Sequence, residues 1–192
     1  FLNRKTKVYC MNEIRIHGRG GQGAVTAAQL IAIAAFYDKK ESQAFPRFGV
    51  ERRGAPVEAF TRISDEKINN RAGVYHPDVV VVLDASLIVA EDVTEGLKKG
   101  GTIIINTTKL PKEVIKSKEF KVFTVDATSI AMSIFHQEIV NTAILGAFAH
   151  ATGLVSLESI DKAIEDRFGK SQKMIELNKQ AIKEAYEKCC AK

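Results

Sequence analysis

A glycine-rich stretch near the start of the chain has the composition of a phosphate-binding turn. Gly18, Gly20 and Gly23 follow the spacing G-x-G-x-x-G, after an alternating strand predicted over 13–17 and before a helix predicted over 24–37. In such a unit the first glycine can make the tight turn, the second lets a ligand approach, and the third lets helix and strand pack. The helix N-terminus adds unpaired N–H groups that attract anions. The stretch therefore predicts a phosphate or pyrophosphate site; the alternative is a tight corner without a ligand.

A second stretch, residues 45–56, combines an irregular backbone with several charges. It contains two prolines and two glycines, which exclude a long helix or a central strand. Loops beyond the end of a strand are where α/β folds place ligand contacts. The charged residues of this loop are Arg47, Glu51, Arg52 and Arg53. Two interpretations stay open: a ligand-binding loop, and a cluster of ion pairs between Glu51 and arginines at a subunit contact.

The dinucleotide NAD is a poor candidate for the ligand. NAD-binding folds place Asp or Glu at the end of the second strand, about 20 residues beyond the glycines, where it binds the ribose. Here the second strand, predicted over 41–45, runs into Pro46, and its acid, Glu41, is at the wrong end. Arg19 and the arginines of residues 45–56 favour a polyanionic nucleotide instead, because guanidinium groups pair with phosphate oxygens in a bidentate manner.

The other polar residues at strand ends are predicted to be structural. His17 ends the first strand, where a hydrogen-bonded corner histidine is favoured over a ligand contact. Asp84 and Asp126 also end strands and are predicted to cap helices. The sequence contains no Ser-His-Asp arrangement, no pair of catalytic carboxylates and no metal-ligand spacing. We therefore expect no catalytic residue and no metal site on this chain.

Composition and cysteine usage narrow the class of protein. The three cysteines, Cys10, Cys189 and Cys190, form no C-x-x-C motif, so we expect neither an iron–sulfur cluster nor a zinc site here. Free thiols are typical of a reducing cytoplasm, which is the expected location. The net charge of +5 over 192 residues favours an anionic partner. No basic element is interleaved with aromatics and no apolar run has transmembrane length, so we expect neither nucleic acid nor a membrane.

The order of elements indicates an α/β fold with a Rossmann-like, mostly parallel sheet flanked by helices. Residues 13–192 are expected to form a single domain after an N-terminal extension over 1–12. A β-branched run over 79–83 is typical of a parallel strand buried on both faces. The strand predicted over 57–63 and a short arm over 67–70 form an expected β-hairpin insertion. The remaining predictions are strands over 41–45, 102–106 and 121–125, helices over 86–97 and 129–151, and C-terminal helices over 157–168 and 171–189.

Four segments together resemble one protein family. They are Gly18-Arg-Gly-Gly-Gln-Gly-Ala-Val-Thr-Ala-Ala28, Phe45-Pro-x-Phe-Gly-Val-Glu-Arg-Arg-Gly-Ala-Pro-Val57, Ala59-Phe60-x-Arg62-Ile63 and Pro77-Asp-Val-Val-Val-Val-Leu-Asp84. On these motifs the chain is similar to the gamma subunits of pyruvate:ferredoxin oxidoreductases (pyruvate synthases), in the 2-oxoacid:ferredoxin oxidoreductase family. The similarity covers most of residues 13–168. The Glu-Arg-Arg-Gly-Ala-Pro form resembles the pyruvate and branched-chain enzymes more than the 2-oxoglutarate enzymes.

The resemblance implies a complex that converts a 2-oxoacid, CoA and oxidised ferredoxin into acyl-CoA, CO2 and reduced ferredoxin. It implies alpha, beta and delta subunits as partners, with thiamine diphosphate, Mg²⁺ and 4Fe–4S clusters bound by those partners and no cofactor bound by this chain alone. CoA would be a substrate held by Gly18, Arg19, Gly20, Gly21, Gln22 and Gly23. The residues implied in either CoA binding or a subunit interface are Arg47, Glu51, Arg52 and Arg53. Two alternatives are the gamma subunit of a branched-chain 2-oxoacid:ferredoxin oxidoreductase and a stand-alone nucleotide-binding module.

Overall fold

A computed structural model describes residues 11–47, 53–70 and 72–191, which form one mixed sheet with helices against both faces. The strands are β1 (Met11–Arg19), β2 (Glu41–Pro46), β3 (Pro56–Ser64), β4 (Val79–Val82), β5 (Thr102–Asn106), β6 (Lys121–Val125) and β7 (Cys190–Ala191). The helices are α1 (Ala24–Tyr37), α2 (Leu87–Ala90), α3 (Pro111–Val114), α4 (Ala127–Phe135), α5 (Val140–Thr152), α6 (Leu157–Phe168) and α7 (Gln172–Lys188). The glutamate and arginine at positions 51 and 52, and residues 1–10, lie outside the described residues.

The strand order β2-β3-β1-β4-β5-β6-β7 confirms the Rossmann-like, mostly parallel sheet. β1, β4, β5 and β6 pair in parallel, while β3 runs antiparallel between β1 and β2, and β7 runs antiparallel to β6. The chain leaves β1 towards one side of the sheet and leaves β4 towards the other. The crevice outside the carboxyl ends of β1 and β4 is therefore the topological switch point, where such sheets bind ligands.

Several elements have the bounds that their sequence pattern predicts. The structure confirms the predicted bounds of β5, β6, α1 and α6, and Gly169 ends α6 as its C-cap. All residues of β4 are buried, as its β-branched composition indicates. β1 begins at Met11, so Met11 and Asn12 lie in the sheet and pair with β3. The sequence pattern places these two residues in the extension over 1–12 instead.

The returning arm predicted over 67–70 is wrong, because the hairpin partner of β3 is β2. Residues 67–70 form no strand. The guanidinium group of Arg62 explains the difference: it is fully buried and donates hydrogen bonds to the carbonyl groups of Asn70, Ala72 and Gly73. Those carbonyls are used by a side chain rather than by a strand ladder. The segment consequently lies over the sheet face instead of extending its edge.

The helix predicted over 86–97 is much shorter, ending as α2 at Ala90. The side chain of Asp92 accepts hydrogen bonds from the N–H and the hydroxyl of Thr94, which is a turn that competes with helix. The buried Arg15 side chain then donates to two carbonyl groups of this segment, those of Val93 and Glu95. Those carbonyls are thereby withdrawn from helical hydrogen bonds.

The single helix predicted over 129–151 is two helices, α4 and α5, with a break at His136. His136 adopts φ 55°, a left-handed conformation that ends α4, and no proline or glycine marks the position in the sequence. Asp126 caps α4 as predicted, accepting a hydrogen bond from the N–H of Ser129 at 2.9 Å. Gly146 lies inside α5 and does not break it. The position requires glycine, because a Cβ there would overlap the carbonyl oxygen of Ile182 on α7.

Candidate functional site

The candidate site is a cleft of about 510 Å³ at the carboxyl ends of β1, β4 and β5, which we call the switch-point cleft. It is lined by Gly20, Gly21, Gln22, Arg53, Leu83, Asp84, Ala85, Asn106, Thr128, Glu138 and Val140. Of the residues that the sequence analysis assigned to CoA, the cleft brings together Gly20, Gly21, Gln22 and Arg53. Its position agrees with the rule that open α/β sheets bind ligands at the switch point.

The glycine turn, residues 18–23, is held in place by backbone hydrogen bonds to Gly54 and Ala55 of the stretch over 45–56. The N–H of Gly20 donates to the carbonyl of Ala55 at 2.8 Å, and the N–H of Gly54 donates to the carbonyl of Gly20 at 3.0 Å. The N–H of Gln22 donates to the carbonyl of Arg19 at 2.9 Å and closes the turn. The glycine turn and the described end of the second stretch, residues 53–56, are therefore one structural unit.

The individual glycines have roles different from those that their spacing suggests. Gly18 lies in β1, and a Cβ there would contact Leu83 at 3.2 Å and Ala24 at 3.3 Å, so this glycine allows the close packing of helix and strand. The left-handed conformations belong to Gly21, with φ 98°, and Gly23, with φ 78°. Sequence spacing predicted a turn, but it could not show which glycine turns the backbone.

Three N–H groups at the end of this turn have no acceptor among the described residues. They belong to Gly21, to Gly23, which is the N-cap of α1, and to Ala24, its first residue. The N-terminus of a 14-residue helix carries partial positive charge and directs its free N–H groups outwards. This arrangement suits an anion such as a phosphate group.

Arg19 is occupied by partners within the chain. Its guanidinium group pairs with the carboxylate of Asp84 at 3.0 Å and donates to the carbonyl of Gly54 at 3.0 Å and to the hydroxyl of Ser86 at 2.8 Å. Burial alone would raise the pKa of Asp84, but hydrogen bonds from Ser86, and then from Arg19 and Gln22, hold that pKa below its usual value. The carboxylate therefore stays charged and keeps Arg19 beside the turn.

The two arginines of the stretch over 45–56 that the structure describes lie in different environments. Arg53 is exposed, lines the switch-point cleft and forms an isolated bridge with Gly20, and it makes no ion pair with any residue that the structure describes. Arg47 does not line the cleft and pairs with Glu58 at 2.9 Å. Arg53 thus places at the cleft a guanidinium group that makes no ion pair among the described residues, and Glu138 lines the same cleft, whereas Arg47 is paired with Glu58.

Two residues of the cleft escaped the sequence analysis. Asn106, at the end of β5, donates to the carbonyl of Leu83 and to the hydroxyl of Thr128, both at 2.9 Å. Thr128 in turn donates its N–H to the Asn106 side chain at 3.2 Å. Their signal in the sequence was weak: Asn106 ends the buried strand β5, and Thr128 follows β6, at the edge of the sheet where ligands bind. The pair joins the ends of β4 and β5 to the first turn of α4.

The neighbour of β1 differs from that of an NAD-binding fold. There the second strand lies beside the first and its terminal acid reaches the ribose. Here β3 lies beside β1 and runs antiparallel to it, which puts β2 at the edge of the sheet. The end of β2 is therefore not next to the glycine turn, whichever residue it carries.

His17 is the hydrogen-bonded corner histidine that the sequence favoured. It is 2 % exposed and its Nε2 accepts a hydrogen bond from Arg15 Nε at 3.0 Å. Burial, followed by the charges of Arg15 and Arg47, lowers the pKa of His17 to about 3. The imidazole is consequently neutral and belongs to the wall behind the turn.

No group of three His, Cys, Asp or Glu side chains that could hold a metal ion occurs within the described residues 11–47, 53–70 and 72–191. In the same ranges no helix is long and apolar enough to span a membrane.

Comparison with known proteins identifies the family. The pyruvate ferredoxin/flavodoxin oxidoreductase family matches residues 13–188. The chain belongs to this family. It is 58% identical over 181 residues to the pyruvate/ketoisovalerate oxidoreductases common subunit gamma of Pyrococcus furiosus, covering 93% of this chain and 97% of that protein. It is 55% identical over 182 residues to pyruvate synthase subunit PorC of Methanocaldococcus jannaschii, covering 95% and 99%.

The fold is that of a solved family member. The crystal structure of pyruvate oxidoreductase subunit PORC from Thermotoga maritima matches with a TM-score of 0.83 and 43% sequence identity. The match covers 96% of this chain and 99% of that one.

The geometry of the turn makes Gly23→Ala more destabilising than Gly21→Ala. Both positions are left-handed, which costs a residue with a Cβ about 1–2 kcal/mol. A Cβ at Gly23 would also overlap the Asn141 side-chain amide, whereas a Cβ at Gly21 has nothing within 4 Å. Urea unfolding should show the larger loss for Gly23→Ala, and Asn141→Ala should recover part of it in the double variant. Equal losses for the two alanines would contradict this geometry.

The free energy of unfolding should fall as the pH drops below about 6.5, because His17 in the unfolded chain binds a proton at about that pH. The folded state resists protonation down to a pKa of about 3. Between pH 7.5 and 5.5 wild type should therefore lose about 1.4 kcal/mol more unfolding free energy than His17→Gln, whose side chain still accepts a hydrogen bond but does not titrate. Denaturant unfolding at both pH values measures this difference. The same pH slope in both proteins would show that His17 is not held neutral.

Proposed function

We propose that this chain, the gamma subunit of a pyruvate:ferredoxin oxidoreductase, binds the phosphate groups of CoA at the glycine turn. The observation that supports this most directly is the N-terminus of α1, where the N–H groups of Gly21, Gly23 and Ala24 have no acceptor among the described residues and Gly21 lines the switch-point cleft. Backbone donors at a helix N-terminus bind phosphate oxygens without requiring a particular side chain. CoA is the phosphorylated substrate of the reaction that the resemblance implies.

The charge distribution around the cleft favours CoA over a dinucleotide such as NAD. CoA has a pyrophosphate and a 3′-phosphate, so it needs more counter-charge than NAD. Arg53 provides at the cleft a guanidinium group without an ion pair among the described residues, and the arrangement of β1 and β3 offers no ribose-binding acid at the usual place. Arg19 acts indirectly in this proposal: with Asp84 it holds the turn, and its guanidinium group is already hydrogen-bonded.

The contribution of this chain to the reaction would be positioning. The complex would oxidise pyruvate with CoA to acetyl-CoA and CO2 and reduce ferredoxin, and it would run in reverse as a pyruvate synthase. The partner subunits would supply thiamine diphosphate, which stabilises the carbanion formed on decarboxylation, and iron–sulfur clusters for electron transfer. Fixing CoA at its phosphates places the thiol within reach of a partner's site. That replaces an encounter in solution with a reaction between bound groups.

A branched-chain 2-oxoacid is the second candidate substrate for the complex. The Pyrococcus furiosus relative is named as a subunit common to pyruvate and ketoisovalerate oxidoreductases. A common subunit would bind what two such enzymes share, which is CoA, while other subunits select the oxoacid. Purifying the native complex and assaying acyl-CoA formation with pyruvate and with branched-chain oxoacids decides between the two. Purification without a thiamine-binding chain would favour the stand-alone nucleotide-binding module.

Arg53→Ala in the assembled complex should raise the KM for CoA about tenfold or more, which is the effect of losing one charge-assisted hydrogen bond to phosphate. The maximal rate at saturating CoA should change little, because Arg53 touches no reacting atom in this proposal. Arg47→Ala is the matched control, since it removes an arginine of the same loop that pairs with Glu58 and does not line the cleft. An unchanged KM for Arg53→Ala, or an equal rise in both variants, would contradict the assignment.

A further inference from the structure

Helix α1 has an outward side that carries no charge. None of its 14 residues is Asp, Glu, Lys or Arg, and its outer positions include Gln29, Ile33 and Phe36. Phe36 is 69% exposed. A helix that is apolar all round is ordinarily buried, and α1 packs against the sheet, α5 and α6 but leaves Gln29 and Phe36 exposed in the described chain. The outer side of α1 has the composition of a protein interface.

The strand beside α1, β2, has one open edge. The N–H of Arg47 donates to the carbonyl of Glu58 on β3 at 2.9 Å, and alternate residues of a strand direct their N–H groups to opposite edges. The backbone groups of Ser42, Ala44 and Pro46 therefore point away from β3. β2 is the end of the sheet, so these groups have no strand partner in the described chain. Pro46 lacks an N–H at the position where it would face outwards, as is usual in edge strands.

A shallow apolar cleft of about 250 Å³ lies between these two features. It is lined by Thr26, Gln29, Leu30, Ala32, Ile33, Ala44 and Arg167. The open strand edge, the uncharged side of α1 and this cleft form one continuous surface, which we call the β2 edge surface.

We propose that the β2 edge surface binds the same surface of a second copy of this chain, with the two β2 strands antiparallel about a two-fold axis at Ala44. In this register Ala44 exchanges backbone hydrogen bonds with the partner's Ala44. The N–H of Ser42 donates to the carbonyl of the partner's Pro46, so the missing N–H of proline interrupts only the reciprocal bond. A two-fold axis perpendicular to the sheet puts both α1 helices on the same face, where each covers the other's cleft.

The charges at the ends of β2 select this register. Glu41 is exposed and forms no ion pair within the described chain, and it would face the partner's Arg47, whose side chain is 68% exposed while it pairs with Glu58 of its own chain at 2.9 Å. The two-fold repeats this contact on the other side of the axis. Moving the axis to Gln43 would place Glu41 opposite the partner's Phe45 instead. Exposed ion pairs contribute little affinity, so the uncharged side of α1 supplies the binding energy and the charges supply the alignment.

Disulfide trapping in the assembled complex tests both the partner and the register. In a background with Cys10→Ser and Cys190→Ser, Ala44→Cys puts two thiols at the axis, where backbones about 5.5 Å apart allow a disulfide. Gln43→Cys is the matched control on the same strand, because in this register the two substituted positions lie about 7–8 Å apart along the diagonal and on the other face. Mild oxidation should link two gamma chains through Ala44→Cys at least tenfold more than through Gln43→Cys. No gamma–gamma link, equal linking by both variants, or a link to another subunit would overturn the proposal.

Glu41→Lys provides a second measurement that does not depend on a cysteine. It changes an exposed side chain and places a positive charge opposite the partner's Arg47. Sedimentation of the purified full-length chain should show self-association weakened about tenfold, with higher salt restoring part of it. Indistinguishable sedimentation of wild type and Glu41→Lys would overturn the proposed contact.

Discussion

The ion pair between Arg19 and Asp84 fixes the part of the structure on which the candidate site depends. Arg19 ends β1 and Asp84 lies two residues beyond β4, on either side of the switch point, and the pair joins the carboxyl ends of these strands at 3.0 Å. Ser86 and Gln22 add hydrogen bonds to the same carboxylate. The glycine turn is therefore tied to β4 before any ligand is bound. Preorganisation of this kind lets backbone N–H groups face an anion without an ordering cost at the moment of binding.

Two buried arginines perform a related function on the sheet face that no long helix covers. Arg62 is fully buried, pairs with Glu13 at 2.9 Å and holds the segment around Ala72. Arg15 holds the segment after α2 and donates a hydrogen bond to His17. Removing one partner of a buried ion pair typically costs about 3–5 kcal/mol, so Arg62 is a structural requirement of the fold, while Arg15 contributes through its hydrogen bonds. The positive charge of the chain is thus partly internal and does not all serve a ligand.

The sequence predicted the elements whose pattern is local and missed features that depend on distant partners. The β-branched run of β4 and the small-residue helix α1 were predictable because burial imposes their composition. The early end of α2 was not, because it depends on Arg15 and on a turn at Asp92. Spacing located the glycine turn, but the commitment of Arg19 to Asp84, 65 residues away, required the structure. The unpaired charge of Arg53 was equally invisible, since four charged residues of its loop look alike in sequence.

The central claim is that CoA phosphates bind the N–H groups where the glycine turn enters α1. Amide hydrogen exchange, measured by mass spectrometry on the assembled complex with and without CoA, addresses those groups directly. Saturating CoA should slow exchange in peptides covering residues 18–26 and leave peptides of α6 unchanged. Unaltered exchange over residues 18–26, under conditions where the complex turns over CoA, would contradict the account.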